Sequence, residues 1–270
     1  MIKIILSDID GTFLKDDKTF PALHGEALKA VVAKGLKFVF VSARMPEAIY
    51  PITDALGMNH TPVISYGGGF VLTEDEEIIF DKKISADDAQ NVLAEMNRWK
   101  DITINFYTGR RWFVEEIDKR VQFEMDITQA TAEVKNFDEL LNEKIFPNKI
   151  LIMCEPPTCR EMEIELGKKF PALNVVRSAP YLLEIMDKSV SKATGIKVLL
   201  KHYGFTLDEA IAFGDNYNDT EMLELIPQSV AMANAPDDVK KLAATVTDSN
   251  EAGGIYTYLV KAGVIDKCAS

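Results

Sequence analysis

Ile2-Lys3-Ile4-Ile5-Leu6-Ser7-Asp8-Ile9-Asp10-Gly11-Thr12 opens the chain, and its reading decides the fold. Residues 2–6 predict a short apolar strand of the kind buried on both faces of a parallel sheet. Polar residues and a glycine follow at once, so the strand ends in a sharp turn. The alternation then continues. A helix is predicted from about Pro21, with Leu23, Ala27 and Val31 recurring at four-residue intervals and Gly35 as its stop. Residues 36–41 read as a second strand. Pro46 opens a second helix carrying Ile49, Ile52 and Leu56, which Gly57 closes, and residues 63–66 read as a third strand. Residues 70–72 and 77–80 read as a hairpin about Glu74-Asp75-Glu76. Strand and helix alternating at this spacing predict an α/β protein, with a doubly wound, Rossmann-like core around a parallel sheet.

The middle third changes character. Ser85 caps a predicted helix with Ala89, Val92, Leu93 and Met96 on one face, and two strands follow around Thr108-Gly109-Arg110. Further on come a short helix at 137–142, a strand at 149–153, a helix at 158–170, and strands near Val175 and at 181–185. From Ser191 the βα alternation resumes, with a helix to Tyr203, a strand at 210–213, a helix at 216–225, a strand at 230–233 and a helix at 237–244. The simplest organisation is a catalytic-type α/β core from residues 1–82 and 183–270, interrupted by an inserted α+β domain at 83–182. The 270-residue length agrees, at about 150 residues per domain.

Composition narrows the function classes. Thirty Lys and Arg against 42 Asp and Glu give a net charge of −12, which argues against a nucleic-acid partner and against docking on an anionic membrane. The longest apolar run is five residues, 150–154, far short of the ~20 that a membrane-spanning helix needs. At the N-terminus the apolar stretch before Asp8 is too short for a signal-peptide core. Three cysteines (Cys154, Cys159, Cys268) are too few and too odd in number for a disulfide framework. The expectation is a cytoplasmic protein, monomeric or a small homo-oligomer, acting on a small molecule.

Ligands of open α/β sheets bind at the carboxyl ends of the strands. Three polar clusters fall there: Ser7 to Thr12 after the first strand, Ser42-Ala43-Arg44 after the second, and Gly214-Asp215-Asn216-Tyr217-Asn218-Asp219 after the strand at 210–213. Lys192 stands at the start of the helix where the α/β pattern resumes. Asp8 and Asp10, two apart on extended chain, leave on the same side. Gly11 then lets the backbone turn close to a ligand. With Asp215 these make a concentration of carboxylates that needs a hard cation, and Mg²⁺ with oxygen ligands is the natural choice. Ser42, Lys192, Asn218 and nearby N–H groups are then placed to bind the oxygens of a phosphoryl group. Any one cluster reads equally well as helix and turn capping; their coincidence at three strand ends does not. At average residue usage, Asp-x-Asp-Gly-Thr/Ser arises by accident in fewer than about 1% of chains this long.

The sequence resembles the haloacid dehalogenase superfamily of aspartate-nucleophile phosphatases, in the Cof-like branch that carries a type IIB cap. Four motifs occur in family order: Asp8-Ile9-Asp10-Gly11-Thr12, Ser42, Lys192 within Ser191-Lys192-Ala193, and Gly214-Asp215 with Asn218-Asp219. Asn234-Ala235 and Ser249-Asn250 also match that branch, as does an insert between the second and third motifs. The resemblance implies that Asp8 attacks phosphorus to form an aspartyl-phosphate. Asp10 then serves as general acid and afterwards as base. It implies Mg²⁺ held by Asp8, the Asp10 carbonyl and Asp215, with Asp219 ligating directly or through water. Ser42 and Asn218 would bind the transferring phosphoryl group, and Lys192 would offset its charge and that of Asp8. Where the family commonly has Asn-Gly after the third strand, this chain has Gly67-Gly68, and Gly253-Gly254-Ile255 replaces a Gly-Val-Ala-like run.

The implied function is a Mg²⁺-dependent phosphatase for small phosphorylated metabolites, sugar phosphates or similar monoesters. A sugar-phosphate phosphomutase is the alternative within enzymes. A phospho-accepting or sugar-phosphate-sensing module is the alternative outside them, and Asp10 argues against it, because storing phosphate needs no general acid. Elsewhere, His24, His60 and His202 read as structural, the cysteines lack a zinc pattern, and Trp99 and Trp112 continue apolar patterns of the insert. Gly67-Gly68-Gly69 lacks the Gly-Lys-Ser/Thr of a nucleotide-binding loop and reads as a turn. Arg110 and Arg111 are left open between solvated residues and contacts to an anionic substrate.

Overall fold

The computed structural model describes residues 1–267. In chain order it begins β1 (Ile4–Ser7), α1 (Ala22–Ala33), β2 (Lys37–Val41), α2 (Tyr50–Ala55), β3 (Val63–Ser65), β4 (Phe70–Leu72) and β5 (Ile78–Asp81). The middle third forms α3 (Ala86–Met96), β6 (Thr103–Thr108), β7 (Arg111–Val114), α4 (Lys119–Thr128), β8 (Glu133–Val134), α5 (Phe137–Asn142), β9 (Lys149–Met153), α6 (Pro156–Lys169), β10 (Leu173–Ala179) and β11 (Leu182–Asp187). The chain ends with α7 (Lys192–Tyr203), β12 (Ala210–Gly214), α8 (Thr220–Leu225), β13 (Gln228–Ala231), α9 (Asp237–Lys240), β14 (Thr245–Val246) and α10 (Gly254–Lys261).

These elements gather into two compact units: Met1–Ala43 with Ile52–Phe80 and the described residues from Ser191 on, and Arg44–Pro51 with Asp81–Val190. The expected boundary at 182/183 falls where β11 begins. That strand pairs with both β9 and β10, so the second unit runs on to Val190.

The first unit is built on an eight-stranded sheet in the order β14-β13-β12-β1-β2-β3-β4-β5. From β14 to β3 the pairing is parallel, and β4 runs antiparallel to β3. The expected α/β core is therefore present, with an antiparallel margin. β1 lies between β2 and β12, so the chain leaves it in one direction and returns on its other side much later. This is the switch point at which open α/β sheets bind ligands. Ile4, Leu6, Val39, Val41 and Ile64 pack one face against Ile196, Leu199 and Leu200 of α7.

The second unit has a six-stranded sheet ordered β10-β11-β9-β6-β7-β8, antiparallel except for the β7–β8 pair. Its core packs Val92 and Met96 of α3 and Met162 and Leu166 of α6 against Ile150, Ile152, Leu183 and Ile185. Ser85 caps α3 as expected, accepting from Asp88 N–H at 3.1 Å. Trp112 is buried, donates to Asn105 and stacks on Tyr107. Arg110 and Arg111 resolve as ion-paired, the first to Glu47 at 2.6 Å and the second to both oxygens of Glu133. Cys154 and Cys159 are buried free thiols, and burial pushes Cys154 up to about 12. Cys268 lies outside the described residues. Among the described residues, no helix is long and apolar enough to cross a membrane.

His24 is a core residue whose two ring nitrogens are both used. Nδ1 donates to the Phe13 carbonyl at 2.8 Å, and Nε2 accepts from Ile255 N–H at 3.3 Å, joining α1 to α10. Protonating Nε2 would destroy the second bond, and burial lowers the ring's pKa from 6.5 to about 4. Below pH 6.5 the unfolded chain takes up a proton that the folded chain refuses, so stability falls as pH drops through this window. The contribution from His24 is on the order of 3 kcal/mol. Denaturant unfolding between pH 7 and pH 4 should show that loss in the wild-type chain and a flatter dependence in His24→Gln. Parallel pH dependences in the two chains would contradict it.

Candidate active site

The site is built at the carboxyl end of β1 and belongs wholly to the first unit. The β1 ladder continues one residue past the strand, where Asp8 N–H donates to the Phe213 carbonyl at 3.0 Å. The backbone then folds over, with the Ile9 carbonyl accepting from the N–H groups of Phe13 and Leu14 at 3.0 and 2.8 Å. Gly11 sits at φ +88°, and a Cβ there would lie 2.3 Å from an Asp215 oxygen. Only glycine allows this loop to press on the end of β12.

Lys192 reaches the site because α7 starts beside it. Ser191 is the N-cap, accepting from Thr194 N–H at 3.3 Å, and Lys192 is the first helical residue. The glycine run packs against this turn. Gly68 has φ +110°, and a Cβ would fall 1.9 Å from the Ser191 carbonyl oxygen. Gly67, where the family commonly has asparagine, adopts φ 61°, ψ 21°. This is the left-handed region that asparagine tolerates best among residues with a side chain, so the exchange removes a side chain without asking for new backbone.

The Lys192 ammonium donates to Asp8 Oδ1 and, at 2.6 Å, to Asp219 Oδ1. The other Asp219 oxygen accepts from the N–H groups of Asp215 and Asn216 at 2.9 and 3.0 Å. Asp215 Oδ1 accepts from the Thr12 hydroxyl at 2.6 Å, and Oδ2 lies 3.5 Å from the Asn234 amide nitrogen. Asp8, Asp215 and Asp219 are all buried, and each offers an oxygen within 4.8 Å of the others. Asp10 stands apart. Its carboxylate is partly exposed and ion-paired with Lys18 at 2.9 Å. Ser42 is buried at the end of β2, while Asn218 is exposed on the short turn that also carries Asp219.

The charges do not balance within the protein. Three ionised carboxylates and one ammonium leave two negative charges uncompensated in a buried place. Burial raises the Asp8 carboxyl well above the usual range; Lys192 opposes this, and Asp219 and Asp215 add to it. Burial likewise pushes Asp215 up to about 6, against its bond from Thr12. Burial works against the Lys192 ammonium, yet Asp219 and Asp8 outweigh it and hold its pKa above the ordinary lysine value. A divalent cation with a preference for oxygen would supply the missing charge. Lys192 engages only Oδ1 of Asp8, whereas both oxygens of Asp219 are committed. Asp8 keeps one oxygen outside these bonds and Asp215 Oδ2 has only the long 3.5 Å contact from Asn234, so these are the two carboxylates best able to turn toward a metal.

Sequence reading unites Asp8, Asp10, Ser42, Lys192, Asp215, Asn218 and Asp219; the structure brings Asp8, Lys192, Asp215 and Asp219 together, while the Asp10 carboxylate pairs with Lys18 and Asn218 is exposed. Lys18 was not singled out, since a lysine on a short acidic loop carries no periodic signal. Asn234 and Asn250 were noted only as resembling the family.

A family model described as haloacid dehalogenase-like hydrolase matches residues 5–259. A protein of Haemophilus influenzae named "Putative phosphatase" is 32% identical over 260 residues, covering 96% of this chain and 97% of that protein. The crystal structure of a haloacid dehalogenase-like hydrolase from Bacteroides thetaiotaomicron is 30% identical with a TM-score of 0.87, covering 97% of this chain and 100% of that one. The HAD subclass IIB sugar phosphatase BT4131 is 26% identical with a TM-score of 0.81, covering 97% and 100%.

The close approach at Gly68 can be separated from the strain of positive φ. Gly35 has φ +74° with nothing within 4 Å of a Cβ. Gly35→Ala should cost about 1–2 kcal/mol for the left-handed backbone alone. Gly68→Ala should cost a further 1–3 kcal/mol or so from overpacking, and should also impair the site by shifting Lys192. Equal losses of unfolding free energy in the two variants would show that the contact with Ser191 is unimportant.

Proposed function

This chain belongs to the haloacid dehalogenase-like hydrolases, in their Cof-like branch, and is a phosphatase; we propose that it hydrolyses small phosphomonoesters through an aspartyl-phosphate on Asp8, with Mg²⁺ as cofactor. The observation that carries this reading is the buried Lys192 ammonium, held between Asp8 and Asp219 beside a third carboxylate, Asp215. Both of its partners are carboxylates, and all three groups are buried at the end of β1. Here it orients a carboxylate at the switch point of the sheet.

Asp8 attacks phosphorus, and Lys192 offsets charge on Asp8 and on the arriving phosphoryl oxygens. Ser42 and Asn218 bind those oxygens from the ends of β2 and β12. Asp10 protonates the leaving oxygen and then takes a proton from the water that hydrolyses the acyl phosphate. Thr12 holds Asp215, and Asp219 holds Lys192. Bound to Asp8, Asp215 and the Asp10 carbonyl, Mg²⁺ would neutralise the excess negative charge and polarise the phosphoryl group. Catalysis of this kind is mostly positioning and charge stabilisation, which is what the hydrogen bonds around Asp8 provide.

These groups see only the phosphoryl group and the leaving oxygen. We assign the choice among esters to the inserted domain, expected at residues 83–182 and bounded in the structure by Asp81–Val190 with Arg44–Pro51, acting as a cap for the core. Sugar phosphates are the favoured substrate class, which the likeness to a subclass IIB sugar phosphatase supports. Three cysteines, with the described two buried as free thiols, suit a cytoplasmic location.

Phosphate release should be measured over a panel of sugar phosphates, nucleotides, flavin mononucleotide and pyridoxal phosphate. Turnover should require Mg²⁺, disappear in excess chelator and return when Mg²⁺ is restored. Asp8→Asn keeps the shape of the site but removes the attacking charge, and should lose turnover by a factor on the order of 10³ or more. Full activity in chelator would contradict the cofactor. Turnover of Asp8→Asn within about tenfold of wild type, with deamidation excluded by mass spectrometry, would contradict the nucleophile.

A further inference from the structure

Two asparagines in the loops after β13 and β14 brace the loop that follows β1. Asn234 directs every hydrogen-bonding atom of its side chain onto a different segment. Its Oδ1 accepts from Asn250 N–H at 3.1 Å, and a backbone N–H can pair only with the amide oxygen, so the orientation of the group is fixed. The Nδ2 group must then face the other way. There it donates to the Gly11 carbonyl at 2.8 Å and approaches Asp215 Oδ2 at 3.5 Å. Asn250 is itself buried, and its Nδ2 donates to the Leu14 carbonyl at 3.0 Å.

The consequence is a strap across the loop that follows β1. Asn250 holds its far end at Leu14, and Asn234 holds its middle at Gly11. The same Asn234 amide that grips Gly11 also faces Asp215, whose other oxygen is bound by Thr12 of that loop. Asp215 is thus gripped on both oxygens, and the loop carrying Asp8 and Asp10 is tied to it through two side chains.

We propose that Asn234 is a positioning residue for the divalent-metal site, fixing the Asp215 carboxylate against the Asp8–Thr12 loop so that both present their oxygens to one cation. The assignment rests on the Mg²⁺ reading above. Asn234 touches neither substrate nor metal; it acts through Asp215 and Gly11. Outer partners of this kind commonly govern metal affinity, and losing one costs about 10–100-fold. Asn250 has a different task. Its side chain braces the buried turn at Leu14, while its backbone N–H, which orients Asn234, survives substitution.

The test is Mg²⁺ binding by calorimetry, supported by the rise in unfolding temperature that Mg²⁺ induces, so that no activity measurement is needed. Asn234 is exposed, so Asn234→Ala should keep a near-wild-type unfolding temperature without metal and bind Mg²⁺ about 10–100-fold more weakly. Asn234→Ser, too short to reach both partners, should show the same loss and serves if the alanine variant is poorly folded. Asn250→Ala should do the reverse, lowering the metal-free unfolding temperature with much less effect on Mg²⁺ affinity. If both Asn234 variants bind Mg²⁺ as tightly as wild type, the assignment is overturned while the metal reading stands. A wild-type chain that binds no divalent cation overturns the metal reading itself.

Discussion

The buried ammonium of Lys192 is the constraint around which the rest of this site is arranged. It joins the ends of three segments that the sequence separates widely: the loop after β1, the start of α7 and the turn after β12. Placing a lysine there without partners would be prohibitive, and removing one partner from such a pair commonly costs about 3–5 kcal/mol. Asp219 therefore has a settled role in holding the ammonium, its remaining oxygen tied to the backbone of its own turn. Asp8 shares the ammonium through Oδ1 alone. The glycines follow from the same demand. Gly68 lets α7 start against the sheet, Gly11 lets the loop after β1 meet Asp215, and at Gly214 a Cβ would come within 2.7 Å of the Asp219 side chain.

An arrangement that satisfies its lysine does not satisfy its total charge. Burial, with the neighbouring carboxylates adding to it, raises both Asp8 and Asp215, which makes the site a poor structural core but one suited to a hard cation. A protein built only for stability would gain by replacing Asp215 with an apolar residue. Thr12 and Asn234 instead hold that carboxylate in place. Stabilising a local excess of negative charge is intelligible when the ligand brings positive charge with it.

Much of this was legible in the sequence because local signals agree with global ones. The apolar run of β1 ends in a polar turn, Ser191 caps a helix whose first residue is Lys192, and β9 reads unmistakably as a strand over Lys149–Met153. Other elements left no such trace. α4 was missed because Phe123 and Ile127 are exposed, so the helix shows no apolar stripe. α10 begins at Gly253-Gly254, which reads locally as a break. Gly254 is required there because a Cβ would sit 2.1 Å from the Asp248 carbonyl oxygen. The helices expected after Pro46 and Asn216 each begin with a short 3₁₀ turn, and the one expected from Asp237 stops at Lys240. The asparagine strap was out of reach for another reason. Asn234 meets Gly11 across 223 positions of chain, and a single sequence carries no record of that pairing.

The account stands or falls on Asp8 as the atom donor to phosphorus. Acid quenching during a single turnover of a good substrate, followed by peptide mapping by mass spectrometry, would locate any phosphoryl group carried by the chain. The account predicts a transient phosphoryl group on Asp8 that appears before free phosphate and decays as phosphate is released. A phosphoryl group on another residue, or none on the chain at any time while the ester is consumed, would contradict it.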